Sequence, residues 1–294
     1  MRKYIENHPI IMIVVGVIGI SLSSILVRYS SAPSALTAAW RLLWTVILMT
    51  PVVVGKRSVR QEIREMGTKT LLLSALSGLF LAVHFAVWFE SLRHTSVASS
   101  TTIVCTEVIW VSLGYCVFLK GKLSWKAIAS IAVTLGGSVL IALSDSAAGE
   151  AQFYGDILAL IAAIAVAVYT LIGRIVRTSA STTAYTYIVY SACGAVLAGL
   201  CIVQGYGFFA YGISGVLVGL LLALFSTILG HSIFSWCLKY FTPSFVSASK
   251  LCEPVAAAAM AAVLFGESMT LLQILGGALI LSGVLYYSRT ESGK

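Results

Sequence analysis

Apolar residues run along this chain in blocks of about twenty, separated by short polar stretches at nearly even intervals. The blocks fall at 9–27, 35–54, 71–92, 96–119, 126–144, 155–173, 182–203, 214–237, 244–265 and 270–287. About twenty apolar residues in an α-helix match the hydrocarbon thickness of a bilayer. Ten transmembrane helices are therefore predicted. The breaks carry helix-ending chemistry: Ser-Ser-Ala-Pro-Ser after the first block, Gly55-Lys56-Arg57 after the second, Lys120-Gly121-Lys122 after the fourth, Gly205 and Gly207 after the seventh, and Thr242-Pro243-Ser244 before the ninth. The first block follows Arg2-Lys3 as a signal peptide does, but its apolar run is too long for one.

The pattern repeats. Shifted by 146 residues, the second half falls on the first without a gap: Arg28 meets Arg174, Leu92 meets Leu238, Arg93 meets Lys239 and Glu107 meets Glu253. Each half holds five blocks. An odd number of crossings reverses direction, so two such halves sit upside down relative to each other. Inverted repeats around a midplane site are the construction of secondary transporters. The expected fold is an all-α membrane protein of ten helices in two inverted five-helix repeats, residues 1–146 and 147–294, which together form one transport domain. The symmetry fails locally, because Lys250 and Pro254 have Val104 and Val108 as partners.

Composition agrees. The chain is 59% hydrophobic and 10% charged, against about 25% charged in soluble domains. The net charge of +8 would point to nucleic acid in a soluble protein. Here its placement gives topology instead. With a cytoplasmic N-terminus, fifteen of the nineteen Lys and Arg residues lie in cytoplasmic segments. The external side keeps Arg28 and Arg93, and its middle loop holds Asp145, Glu150 and Asp156 without a base. The positive-inside rule thus places both termini in the cytoplasm, with the charge against anionic lipid headgroups. A cell membrane is expected, the inner membrane of a bacterium in particular. All six cysteines lie within apolar blocks, which fits packing and neither a disulfide framework nor a zinc site. Residues 56–69 read as a short amphipathic helix, with Ile63 and Met66 placed to lie on the headgroups, or as a solvated connector; no function is assigned to them.

Four charges, Arg41, Glu107, Lys250 and Glu253, fall well inside the blocks. Each costs a few kcal/mol or more at membrane depth unless it faces a partner or a wet cavity, so each is a functional candidate. Glu107 and Glu253 are related by the repeat and are brought toward one central region. They can hold an amine, or share a proton. Lys250 lies three residues before Glu253 on the same helical face, so a self-neutralising Lys250–Glu253 pair is the alternative. Glu107 has no local partner in sequence. Pro254 frees the Lys250 carbonyl and favours a kink.

His84 and Trp88 are four residues apart, beside Phe85 and Phe89; they form a titratable and aromatic wall, or a packed helix with one satisfied histidine. His231 is a weaker counterpart, because Gly230 aligns with His84. Arg41, flanked by Trp40 and Trp44, can bind a carboxylate or phosphate, snorkel outward, or form a gating ion pair; the last is favoured. Tyr169 and its repeat partner Ser23 read as a polar cavity pair. The sequence contains no phosphate-binding Gly–Lys loop, no His–Glu metal motif and no Ser–His–acid arrangement at one depth. No enzyme activity, metal or cofactor is therefore expected, beyond protons as a coupling ion.

These features resemble the EamA-type transporters of the drug/metabolite transporter superfamily. The matching residues are Glu253-Pro254 ending in Gly266-Glu267, the stretch from Gly155-Asp156-Ile157-Leu158-Ala159-Leu160 to Tyr169 and Arg174, and Trp40-Arg41. The first half departs from the pattern, with Glu107-Val108 for Glu253-Pro254 and Lys120-Gly121-Lys122 for Gly266-Glu267. The resemblance implies a ten-helix carrier, with a cavity lined by the first, third, fourth, sixth, eighth and ninth spans. It also implies a small metabolite as substrate, often exported, amino acids or amines first. A translocator of lipid-linked or amphiphilic substrates is the alternative within transport. A membrane-embedded enzyme or a sensor without solute flux is the alternative outside it.

Overall fold

The computed structural model describes residues 9–27, 29–95, 97–143, 150–265 and 270–292. Helices account for nearly all of them: α1 (Pro9–Val27), α2 (Ser34–Gly55), α3 (Arg57–Glu65), α4 (Thr68–His94), α5 (Val97–Cys105), α6 (Glu107–Phe118), α7 (Trp125–Leu143), α8 (Glu150–Val176) and α9 (Thr182–Val203). There follow α10 (Gly212–Leu221), a π-helix over Leu222–His231, α11 (Ser232–Cys237), α12 (Pro243–Lys250), α13 (Glu253–Phe265) and α14 (Leu271–Ser292). Arg28, the loop containing Asp145 and the Gly266-Glu267 turn lie outside the described residues.

Among the described residues, eight helical stretches are long and apolar enough to cross a bilayer, and Trp125–Ile141 is a shorter apolar helix. The expected span at 244–265 is divided between α12 and α13. Lipid-compatible side chains such as Val14, Ile18, Leu72, Leu113 and Leu285 face outward. The interior is rich in small and hydroxylated residues, as expected where burial of apolar surface gains nothing over lipid. Several of its hydroxyls bond along their own helices: Ser21 donates to the Val17 carbonyl, Thr45 to Arg41, Ser74 to Thr70 and Thr134 to Ser130.

Packing between the halves obeys an exchange rule. α4 packs on α8, and the image of that contact is α1 on the π-helix. The α6–α8 contact returns as α13 on α1, and α9 on α4 returns as α2 on α10 and the π-helix. The α2–α9 and α7–α14 contacts map onto themselves. At the last of these, a Cβ on Gly137 would lie 2.6 Å from the Gly276 carbonyl oxygen, and one on Gly276 would lie 2.6 Å from that of Gly137. Only glycine permits so close a crossing.

The 56–69 segment differs from the expectation of a helix laid on headgroups. It does form α3, but Val59 is buried against Val53 and Ala184, with Ile63 and Met66 packed beside them. Glu62 accepts a hydrogen bond from the Ser181 backbone N–H at 2.5 Å. The apolar face of α3 thus closes over the ends of α2 and α9.

Candidate functional site

The site is built on two broken helices. α5 and α6 are separated at Thr106, and α12 and α13 at Leu251 and Cys252. Thr106 and Cys252 are 146 residues apart, so both repeats break at one position. The chain tightens there: the Thr106 N–H donates to Ile103 (3.0 Å) and the Cys252 N–H to Ser249 (3.2 Å), three residues back rather than four. In the second repeat Pro254 supplies a cause, since it has no N–H to continue the ladder. In the first repeat Thr106 acts through its side chain, whose hydroxyl donates to the Ile103 carbonyl at 2.6 Å. Glu107 and Glu253 each open the helix that follows, where the positive end of the helix dipole favours a carboxylate.

The two glutamates share a small cavity of about 40 Å³ with Ser23, Arg41, His84, Trp88, His231 and Lys250. Ile20, Val104 and Val166 complete its wall. Tyr169 touches it indirectly, its ring centroid 6.1 Å from that of His231. The sequence-selected residues therefore gather in one place.

Several pairings differ from expectation. Lys250 does not pair with Glu253: its Nζ donates to Glu107 Oε1 at 2.8 Å, across the repeats. Lys250 ends α12 and Glu253 begins α13, so the break removes the helical geometry that an i,i+3 pair requires. Glu253 Oε1 is buried without a hydrogen-bond partner. Tyr169 and Ser23 do not meet either. The Tyr169 hydroxyl bonds Ser235 at 2.9 Å, while Ser23 accepts from Arg41 Nη1 at 3.2 Å.

Arg41 neither snorkels nor joins an ion pair among the described residues. It is fully buried. Its Nε donates to Thr227 at 2.7 Å, its guanidinium lies 4.1 Å from the Phe85 ring centre, and Nη2 is left without a partner. Burial on the inner face of α2 is what prevents it from reaching an interface. Trp40 and Trp44, its neighbours, donate instead to the Phe208 and Val216 carbonyls.

The His84 Nδ1 lies 3.0 Å from the Ala162 carbonyl. A carbonyl only accepts, so Nδ1 carries the proton, and in the neutral ring Nε2 is the acceptor. The His84 ring stacks on Trp88 at 5.6 Å and lies 6.4 Å from His231. The approach of His231 rests on the π-helix. Its i→i+5 bonds accommodate extra residues in each turn, which brings His231 inward although Gly230 is the aligned residue. A close crossing holds this segment: a Cβ on Gly19 of α1 would lie 2.8 Å from the Phe225 carbonyl oxygen.

Sequence reasoning did not single out Thr227, the main acceptor for Arg41. Its signal was the Ser226-Thr227 pair inside an apolar run. Arg174 and Arg177, at the end of α8, donate to the Leu238 and Ser235 carbonyls and tie α8 to the α11 region.

α1 connects this cavity to two recesses. Ile20 and Ser23 line the cavity, while Met12 at one end of the helix lines a recess of about 790 Å³, with Arg177, Lys239, Trp236 and Ser232. Ser24 and Val27 at the other end line one of about 210 Å³, with Thr37, Phe89 and Arg93. Ser232, which lines the wide recess, bonds the Tyr190 hydroxyl (3.0 Å), and Ser235 of the same helix, α11, bonds the Tyr169 hydroxyl (2.9 Å). Among the described residues, no group of three His, Cys, Asp or Glu side chains is placed to hold a metal ion.

No curated protein matches this sequence. A solved structure described as "Crystal structure of protein" aligns with a TM-score of 0.78 at 15% identity, covering 97% of this chain and 98% of that one. At that identity it supports the fold alone. The profile of the EamA-like transporter family matches residues 8–143 and again 153–289, one match per repeat. The chain belongs to the EamA-like transporter family.

Proposed function

We propose that this protein is a secondary-active carrier that exports small polar or amphipathic metabolites, amino acids or amines first, by alternating access. One observation carries the reading. Four charges of mixed sign, set well inside the bundle, meet at the broken helices of both repeats, in one small cavity with a recess on either side. Broken helices at the interface of inverted repeats are where such carriers bind their cargo. A cavity of about 40 Å³ has room for a few waters and not for a metabolite, so a metabolite is admitted only when the bundle parts on one side. In this reading ten spans cross a bacterial inner membrane with both termini in the cytoplasm, and the wide recess containing Arg177 and Lys239 faces the cytoplasm. No cofactor takes part; protons supply the drive through Glu107, which leaves Lys250 when protonated, or through His84.

The test is flux. Purified protein in proteoliposomes is loaded with amino acids and amines, and counterflow of a labelled solute is followed with and without a pH gradient. Saturable flux that rises with the gradient is expected. A protein that moves no solute under any gradient is not this carrier. Coupling is read in Glu107→Gln beside the doubly neutral Glu107→Gln/Lys250→Met, since the single variant strands Lys250. Both should lose the response to the pH gradient. If it persists in both, Glu107 is not the coupling site.

A further inference from the structure

The cavity contains two kinds of charge. Lys250 and Glu107 satisfy each other at 2.8 Å. Arg41 and Glu253 do not. Arg41 Nη2 and Glu253 Oε1 are both buried, both without a hydrogen-bond partner, opposite in sign, and on the same cavity wall. They are also too far apart to pair: no Arg41–Glu253 contact falls within salt-bridge distance, although Lys250–Glu107 does. An unpaired buried charge is costly, and buried polar atoms normally find partners. Two complementary ones facing one space are a receptor for a molecule that bridges them.

We propose that Arg41 and Glu253 are the two poles of a zwitterion site, with Arg41 taking the substrate's carboxylate and Glu253 its ammonium group. The inference rests on the transport reading and deepens it, by requiring both charges in one substrate. The surroundings fit this assignment. Thr227, Ser23 and Phe85 hold the Arg41 guanidinium through Nε, Nη1 and its face, which leaves Nη2 as the free corner of the fork. Trp88 Nε1 is a third buried donor without a partner, in the same wall, and can serve the second carboxylate oxygen. The Lys250–Glu107 pair is neutral in sum. It therefore leaves the selectivity to Arg41 and Glu253. A lone amine would leave Arg41 unanswered, and a lone acid would leave Glu253 unanswered. A site with unmet buried groups discriminates strongly against such analogues.

The experiment separates binding from flux. Purified wild-type protein is tested by thermal shift with the twenty common amino acids. The best ligand is then compared with its decarboxylated amine and its deaminated acid. The expected result is stabilisation by the zwitterion, with both single-charge analogues binding about tenfold weaker or worse. In Arg41→Gln the amine should bind as well as the amino acid, and in Glu253→Gln the acid should do so. Equal binding of the amine or the acid to wild-type protein overturns the assignment, as does the absence of stabilisation by any amino acid. The wild-type series stands by itself if a variant fails to fold. Zwitterion-selective binding without flux in proteoliposomes would sink the transport reading and leave the site. Flux of amines or acids alone would do the reverse.

Discussion

At the scale of single residues, the Lys250–Glu107 bond is an ion pair that joins the two repeats at the cavity. Both partners are buried, and the contact is 2.8 Å. Removing one partner of a buried pair leaves an uncompensated charge, at a cost of roughly 3–5 kcal/mol, whereas replacing both by apolar groups is often neutral. Glu107→Gln alone should therefore lower unfolding stability in detergent by about that amount, and Glu107→Gln/Lys250→Met should recover most of it. Equal stability of the single and double variants would mean that the pair contributes little. The sequence revealed the four charges through their depth, and the repeat paired Glu107 with Glu253. It did not reveal who bonds whom. The i,i+3 reading of Lys250 and Glu253 assumes an unbroken helix, and the break at Leu251 and Cys252 invalidates it. The true partner lies 143 residues away in sequence.

At the scale of elements, the departures from regular α-helix are what build the site. The kink before Glu253 was legible from Pro254. Its twin before Glu107 was not, because a threonine hydroxyl bonding back to Ile103 replaces the proline. The π-helix was also hidden, since i→i+5 pairing has no simple residue signature. Its one outward sign was the mismatch of His231 with His84 by a single position. Gly19 fixes this segment against α1. A Cβ there would lie 2.8–2.9 Å from the backbone of Phe225, Leu229 and Gly230. Backbone cannot yield as a side-chain tip can. Gly19→Ala should thus shift the π-helix, withdraw His231 from the cavity and depress transport. Its stability cost should be about 1–3 kcal/mol, as for overpacking elsewhere. Gly199→Ala, in α9 with nothing within 4 Å of the added Cβ, is the control. It should leave transport unchanged and hold or raise stability, by up to about 1 kcal/mol, through helix propensity. Equal effects of the two substitutions would refute the role given to the Gly19 crossing.

At the scale of the whole molecule, the exchange of contacts between the repeats has a dynamic consequence. In the transport reading proposed above, two inverted repeats can adopt a second state by trading their conformations. The present arrangement is unequal, with a recess of about 790 Å³ beyond one end of the cavity and about 210 Å³ beyond the other. The Tyr190–Ser232 bond lies on the wide side, and the Ser30–Thr37 bond (2.6 Å) on the narrow side. Trading conformations should shrink the first recess and widen the second. Single cysteines can report this in a background without the exposed Cys116. Thr182→Cys lines the wide recess and Thr37→Cys the narrow one, where Thr37 is buried. A charged, membrane-impermeant thiol reagent should modify Thr182→Cys quickly and Thr37→Cys slowly in the substrate-free protein. A transported solute supplied from the wide side should raise the second rate and lower the first, because one population is drawn from the other. Rates that rise together would indicate a continuous pore. Rates that ignore every transported solute would mean that the two recesses do not alternate.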